Sequence, residues 1–395
     1  MITRVAIIML GFIIYMNPNI FLIYSDKEEE MIFLTYSNAY PSQDKLRSMY
    51  PNCSLKGVDC DKIASYLSRI YNLRDSVYYY WNIQYPEPSI IDLDTLTLLS
   101  DLTIECATNV ILEEVKEKKF IIINEAHHRA EHRLFTQSLL VDLKRLGFTH
   151  IGFEALHCSQ GVKYHNNNFP TLSDGHYIRE PNFGNLIREA KRLDLKIFGY
   201  DCGRKYENYR DIDAAEFIHS ICEDSTAKII LHVGWGHVRE DDKISGGLLA
   251  YRLKETCNTD PLTIQQTRYM DNFGSISHNN PLYNKLKNRL KYPGIPFSTA
   301  TNKAYFDGIC DLAIFQPSTF EYPNYRDAVF INEKRIQGYI MFIPSDERIR
   351  DLPVPVCIYK ITSNDEKLIV KIPYEKDCKI YLLNDTELTD LKILI

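Results

Sequence analysis

Short apolar runs rich in β-branched residues recur along the middle of the chain, separated by stretches with helical periodicity. The runs are Phe120 to Ile123, His150 to Phe153, Lys196 to Tyr200 and Lys228 to Val233, with fainter ones at Leu262 to Ile264 and Leu312 to Phe315. Between them Phe135, Leu139, Leu140, Leu143 and Leu146 fall at helical spacing, as do Phe183, Leu186, Ile187, Ala190 and Leu193, and then Ala214, Phe217, Ile218 and Ile221. A strand-to-strand repeat of roughly 30 residues with an amphipathic helix in each interval is the pattern of βαβ units. It predicts a three-layer α/β sandwich with a mostly parallel central sheet. Packing accounts for the helical stripes, so they are assigned no chemistry.

The flanks break this rhythm. Residues 26–115 read as a Tyr-rich helical prelude with turn signals at Tyr40-Pro41, Tyr50-Pro51 and Tyr85-Pro86. The core is expected over 116–350, and 351–395 as a small β appendage with strand-like runs at Val356 to Ile361, Leu368 to Ile372 and Ile380 to Leu383. Two excursions inside the core, Leu156 to Arg179 and Arg268 to Gly308, are long enough to shape a pocket beside the strand ends. Ahead of the prelude, Arg4 precedes an unbroken apolar run from Val5 to Met16, then Asn17, Pro18 and Asn19, then Ile20 to Tyr24. The first run matches the roughly 7 to 15 apolar residues of a secretory signal and falls short of the roughly 20 of a spanning helix. Residues 1–25 are therefore expected to export the chain; the rival is an uncleaved anchor built from both apolar runs, so any membrane contact is confined to this segment.

The chain has 395 residues, long for one core, and implies a main domain with appendages. Its 46 basic and 52 acidic residues give a net charge of −6 without a Lys/Arg-rich run, which argues against nucleic acid as partner. None of the 10 cysteines forms a CxxC pair, so thiolate zinc and redox motifs are not expected. Cys53 and Cys60 lie close enough in sequence to form a disulfide in an exported protein.

Ligands of open α/β sheets sit beyond the carboxyl ends of the strands, so the first polar residues there carry the most information. The first run leads into Asn124-Glu125-Ala126-His127-His128, the second into Glu154, the third into Asp201 and the fourth into Gly234-Trp235-Gly236-His237. Each acid alone has an ordinary role as a helix cap. Gathered at one sheet edge, like charges repel unless they share protons or cations. A helix starting near Ala126 would project Glu125, His128 and His132 from one face and turn His127 away. His232, inside its strand, reads as a satisfied core histidine, whereas His237 follows two glycines that permit close backbone approach to a ligand.

These motifs resemble the superfamily of erythromycin esterase, ChaN, TraB and Tiki proteins, within an uncharacterised bacterial branch. The pattern carrying the resemblance is Asn124-Glu125-Ala126-His127-His128, Gly152-Phe153-Glu154 and Gly234-Trp235-Gly236-His237, extended by the stretches from Glu180 to Ala190 and from Asp260 to Ile264. It covers roughly residues 118 to 325. Asn124 stands where the family's glycine is usual, and Gln137, nine residues after His128, is of the ChaN type rather than the esterase type. The resemblance implies Glu/His activation of water on a lactone, metal-dependent proteolysis or haem binding, according to the branch.

Two functions remain open on this reading. In the first, a hydrolase acts on an ester, lactone or amide bond of a small molecule or peptide, with Glu125 or His128 as general base and His237 assisting the leaving group. Glu125, His128, Glu154 and His237 would alternatively hold a divalent cation such as zinc or manganese. In the second, a cell-envelope protein binds haem or another ligand in the same cleft without turnover, with His132, Gln137 and Asp201 as ligand-binding residues. No Gly-x-Ser-x-Gly elbow, P-loop or HExxH motif is present, which disfavours serine hydrolases, NTPases and zincins.

Overall fold

The computed structural model describes residues 6–9, 12–15, 18–50, 60–70, 73, 76–77, 79, 102–158, 164–201, 210–242, 247–271, 280–299, 301, 303–305, 308–318, 325–373 and 377–394. A hairpin of β1 (Ala6–Met9) and β2 (Phe12–Tyr15) leads into α1 (Pro18–Ala39), followed by α2 (Gln43–Met49) and α3 (Cys60–Leu67). Of the expected signal segment, residues 1–5, 10–11 and 16–17 lie outside the described residues, and no described helix is long and apolar enough to cross a membrane. Cys53 also lies outside them; Cys60 and Cys158 are each disulfide-bonded.

Among the described residues the core is a nine-stranded sheet. Its strands are β3 (Leu102–Cys106), β4 (Phe120–Glu125), β5 (His150–Phe153), β6 (Lys196–Gly199), β7 (Ile229–Gly234), β8 (Leu262–Tyr269), β9 (Gly294–Ser298), β10 (Lys303–Ala304) and β11 (Leu312–Phe315). They run in the order β6-β5-β7-β4-β8-β11-β9-β10, with β3 also on β9. From β6 to β11 every pairing is parallel; β9, β10 and β3 are antiparallel. The chain leaves β4 for β5 and β6, returns to insert β7 beside β4, and continues on the other side of β4 with β8. That change of direction opens a crevice at the carboxyl ends of β4 and β7.

All six positions of β4 are buried because the sheet is covered on both faces. Ile121 and Ile123 pack with Phe135, Leu139, Phe183 and Leu186, while Phe120 and Ile122 pack with Ala214, Ile218, Leu249 and Leu253. The helices supplying these partners are α5 (Ala130–Arg145) and α6 (Pro181–Arg192) on one face, α7 (Arg210–Ile221) and α8 (Leu249–Cys257) on the other. The chain is thus a mixed α/β protein with a largely parallel central sheet, as the run spacing predicts.

Three boundaries differ from the sequence reading. The prelude is not wholly helical, since its end supplies β3 to the sheet edge and then α4 (Ala107–Glu114). The excursion Arg268 to Gly308 contains α9 (Pro281–Leu286) and the ordered strand β9. The antiparallel C-terminal part begins at β12 (Tyr325–Ile331), not at residue 351: β12 pairs with β15 (Lys367–Pro373), while β13 (Gly338–Pro344) lies between β14 (Cys357–Ile361) and β16 (Cys378–Leu383), with β17 (Leu388–Leu394) outermost. Tyr339, Met341 and Ile343 of β13 face the main core, and Ile340 and Phe342 pack with Phe330, Val370 and Ile372 in a second one. Buried on both faces, β13 reads in sequence like a strand of the parallel sheet.

Candidate active site

Glu125 is the last residue of β4, and its carboxylate is almost wholly enclosed. Arg133, one turn into α5 and fully buried, donates from Nε to Oε2 at 2.6 Å and from Nη2 to Oε1 at 2.9 Å. The same guanidinium donates to Glu180 Oε2 at 2.9 Å and to the His127 carbonyl at 2.9 Å, and lies 5.0 Å from the Phe183 ring centroid. Two histidines complete the shell of Glu125: His127 Nδ1 is 2.9 Å from Oε1 and His232 Nε2 is 2.9 Å from Oε2. Burial opposes the Glu125 charge, but Arg133 and the hydrogen bonds from His127 and His232 outweigh it and hold the carboxyl well below its usual range. An ionised carboxylate only accepts, so His127 Nδ1 and His232 Nε2 act as donors.

Glu180 has a second task. As N-cap of α6 it accepts from the backbone N–H groups of Asn182 and Phe183 at 3.0 and 2.9 Å, ahead of Pro181 at the first helical position. Arg133 therefore ties the end of β4 to the start of α6.

The turn after β4 decides which histidine joins Glu125. The helix starts at Ala130, not near Ala126, so residues 126–129 form a turn and the expected single face of Glu125, His128 and His132 does not exist. His127, expected to turn away, is the one hydrogen-bonded to Glu125; its ring stacks on Tyr177 at 3.9 Å and keeps 20% of its side chain exposed. His128 is buried and stacks on Trp235 at 5.9 Å, and burial pushes its pKa well below the usual value. His132 is buried too, its pKa lowered chiefly by that burial, and its Nδ1 accepts the Ala126 N–H at 2.9 Å, which fixes the turn. His232 is satisfied inside the core, as its strand position suggests, with Thr136 Oγ1 3.2 Å from Nδ1 and Glu125 on the other nitrogen. Asn124, where a glycine is usual, donates to the Trp235 carbonyl at 2.7 Å and accepts the Gln266 N–H at 2.6 Å, clamping β4 to the turn after β7.

Glu154 and His237 meet on the adjoining strand ends. Glu154 accepts from the Gly234 N–H and from Arg210, and its Oε1 is 3.6 Å from His237 Nε2. Arg210 also donates to Asp201 at 2.7 Å, which brings Asp201 into the cluster. His237 Nδ1 is 2.7 Å from Asp211 Oδ1, and 18% of the His237 side chain is exposed. Trp235 adopts φ of 40°, the left-handed turn that brings His237 back over the strand end. Burial depresses the His237 pKa, but the Asp211 hydrogen bond and the Glu154 charge overcome it and raise the group above its ordinary value. A histidine with a raised folded pKa stabilises fully below the unfolded value, about 6.5, and ceases to do so as pH rises through the folded value. The stability gap between the native chain and His237→Gln, measured by urea melts, should therefore be widest near pH 6 and close as pH rises above that value; a gap independent of pH would contradict it.

Gly234 joins the two halves. A Cβ there would lie 2.6 Å from His127 Cε1, 2.9 Å from His127 Nε2 and 3.0 Å from Glu154 Oε2, so the imidazole and the carboxylate converge on the bare face of this residue. The β7 backbone is locked between β4 and β5, so the side chains must yield. Gly234→Ala should displace His127 from Glu125, seen as loss of the hydrogen-bonded His127 Nδ1–H signal by NMR; a retained signal would show that the ring gives way without leaving its partner.

The candidate cation set does not fit a metal ion. Both oxygens of Glu125 are engaged by Arg133 and two imidazoles, those of Glu154 by Arg210 and a backbone N–H, and His128 stands apart. Among the described residues no three His, Cys, Asp or Glu side chains are arranged to hold one. The cavity beside His128 measures about 40 Å³, against roughly 300 Å³ or more for small-molecule sites, which leaves no room there for haem. Gln137 does not join the cluster; it lines a separate cleft with Asn185, Arg188 and Tyr325.

Sequence reasoning did not select Arg133, Glu180, Arg210 and Asp211. Only Glu180 carries a local signal, as an acid immediately before a proline that opens an amphipathic helix.

No family model matches the chain, and no curated protein matches it. Among solved structures it is similar to one described as bacterial protein toxins, with 18% identity and a TM-score of 0.29 over 49% of this chain and 42% of that one. It is similar to RRSP, a MARTX toxin effector domain from Vibrio vulnificus CMCP6, with 17% identity and a TM-score of 0.27 over 40% of this chain and 35% of that one. It is also similar to the type III effector HopBA1, with 11% identity and a TM-score of 0.33 over 56% of this chain and all of that one. The chain thus spans less than half the length of the first two.

Proposed function

We propose that this protein is a hydrolase of ester, lactone or amide bonds that works by acid–base chemistry between His127 and His237. The observation that carries the reading is a pair of partly exposed imidazoles at neighbouring strand ends, each held at Nδ1 by a carboxylate, Glu125 for His127 and Asp211 for His237. Such a carboxylate fixes the tautomer and leaves Nε2 as the working nitrogen. His127, with its Nδ1 proton on Glu125, presents Nε2 as the base that draws a proton from water. His237, with its raised pKa, keeps a proton to give to the leaving group.

The two roles call for different electrostatics, and the surroundings supply them. Arg133 bridges Glu125 and Glu180, and Arg210 bridges Glu154 and Asp201, so each guanidinium offsets part of the negative charge gathered at the crevice. Glu154 serves as a positioning residue: it accepts the Gly234 N–H and stands beside His237, supporting its protonated form.

The test is a panel of p-nitrophenyl esters, aromatic lactones and p-nitroanilides with the native chain and with His127→Gln. Turnover of any class that is lost in the variant supports the reading. Equal rates in both, or no turnover by the native chain, would overturn it.

We further infer that the chain works in an oxidising compartment outside the cytoplasm. Its disulfide-bonded Cys60 and Cys158 support this, since such bonds persist where thiols are not kept reduced.

A further inference from the structure

The cleft that Gln137 lines is a wide opening that the mechanism leaves unused. It measures about 910 Å³ and lies between α5, α6, the stretch at Asn168 and Phe169, and the C-terminal strands. That volume is at the upper end of the range of small-molecule sites, roughly 300 to 1,000 Å³.

Its chemistry is specific. Six charged side chains among the described residues line it, Arg188, Lys191, Arg192, Glu189, Asp346 and Glu347, three of each sign. Four of them pair off: Arg188 grips Glu347 through two hydrogen bonds of 2.8 and 2.6 Å, and Arg192 grips Glu189 through two of 2.8 and 2.7 Å. The remaining Lys191 and Asp346 carry opposite charges, so the described lining carries no net charge to favour anions or cations.

The uncharged groups are of two kinds. Planar amides and a phenol are fixed in place: Asn185 Nδ2 donates to the Tyr325 hydroxyl and to the Val356 carbonyl, both at 2.9 Å. Rings and apolar side chains, Phe169, Tyr325, Val141 and Pro373, share the wall with them. One acceptor is out of place in this well-satisfied lining. Gln137 Oε1 is shielded from solvent and accepts no hydrogen bond. A buried acceptor without a donor is costly and rare in a native fold, and a turn of the half-buried Gln137 amide toward the cleft would bring it to a ligand hydroxyl and remove the cost.

We propose that this cleft binds a neutral saccharide, with Gln137 accepting a hydroxyl proton and the rings of Phe169 and Tyr325 flanking the sugar's apolar face. Hydroxyl-rich, uncharged ligands are the class that uses fixed amides and internally neutralised ion pairs as hydrogen-bonding partners while lying against aromatic rings. The site shares no residue with the Glu125 centre and does not depend on the hydrolytic reading.

The experiment is calorimetric titration of the full chain with maltose, cellobiose and N,N′-diacetylchitobiose, and with citrate and ATP as anionic probes. At least one disaccharide should bind in the millimolar range and the anions should not. Gln137→Leu should weaken that binding roughly tenfold, the equivalent of one hydrogen bond to a buried group. Phe169→Ala, at a half-exposed position whose loss spares the core, should weaken it as well. Native chain that binds no disaccharide, prefers an anion, or binds a disaccharide with unchanged affinity in both variants would overturn the proposal.

Discussion

Arg133→Met is expected to destabilise the fold by about 3–5 kcal/mol, the range found when one partner of a buried ion pair is removed. The side chain is fully buried and answers two buried carboxylates at once, Glu125 and Glu180. Methionine fills much of the space but leaves both acids without a cation, and each then carries the desolvation cost that the guanidinium had offset. The fork geometry matters as well as the charge, because three of its nitrogens donate to Glu125, Glu180 and the His127 carbonyl. Arg133→Lys should therefore recover only part of the loss. The Glu125 pKa is depressed, so its contribution is full above the unfolded value, about 4.3, and fades as pH falls through the folded value. Urea melts at pH 7 and pH 3 should accordingly show the gap between native chain and Arg133→Met shrinking in acid. A gap under about 1 kcal/mol at pH 7, the worth of an exposed pair, would show that the guanidinium does not act as the keystone between β4 and α6.

The sheet was legible because its strands carry continuous apolar runs. Phe120 to Ile123 can be four apolar residues in a row only if both faces are covered, and the structure divides them alternately between the two helical layers. The same physics misplaced the C-terminal boundary: β13 is equally continuous because it too is covered on both faces, once by the main core and once by β12 and β15. Hydrophobicity reports burial, and burial does not distinguish a parallel sheet from an antiparallel one packed against it.

The rim of the site was legible for a different reason. Strand ends are fixed by the runs, so Glu125, Glu154 and His237 follow from them without knowledge of any contact. The choice between His127 and His128 was not legible, because it depends on whether Ala126 to Arg129 is a turn or the first helical turn, and adjacent residues exchange faces between the two. Arg133 was hidden by its own chemistry. Arginine is ordinarily a surface residue, and an amphipathic reading of α5 counts it on the polar side. Yet the helix is buried from His132 through Thr136, so a cation enters the core only because two acids already wait there. Arg210 and Asp211 open α7 ten residues or so beyond their strand, and no local pattern ties them to Glu154 and His237.

On the proposed mechanism, His127→Gln and His237→Gln should each lower kcat by roughly 10² to 10⁴, the usual worth of a positioned acid or base. The pH profiles should separate the roles. An acid must hold its proton, so the activity of the native chain should fall on the alkaline side as pH rises through the raised pKa of His237, and Asp211→Asn should move that limb to lower pH by weakening the bond that raises it. In His237→Gln the limb should vanish, and a substrate with a better leaving group should recover much of the lost rate, because less protonation is then required. The same substrate should not rescue His127→Gln, whose defect lies in activating water. The two losses should also fall short of multiplying in the double variant, since groups acting in one transition state are not independent. Rescue of both single variants by the better leaving group, or an alkaline limb that persists without His237, would remove His237 from the role of acid and leave the paired-imidazole mechanism without its second half.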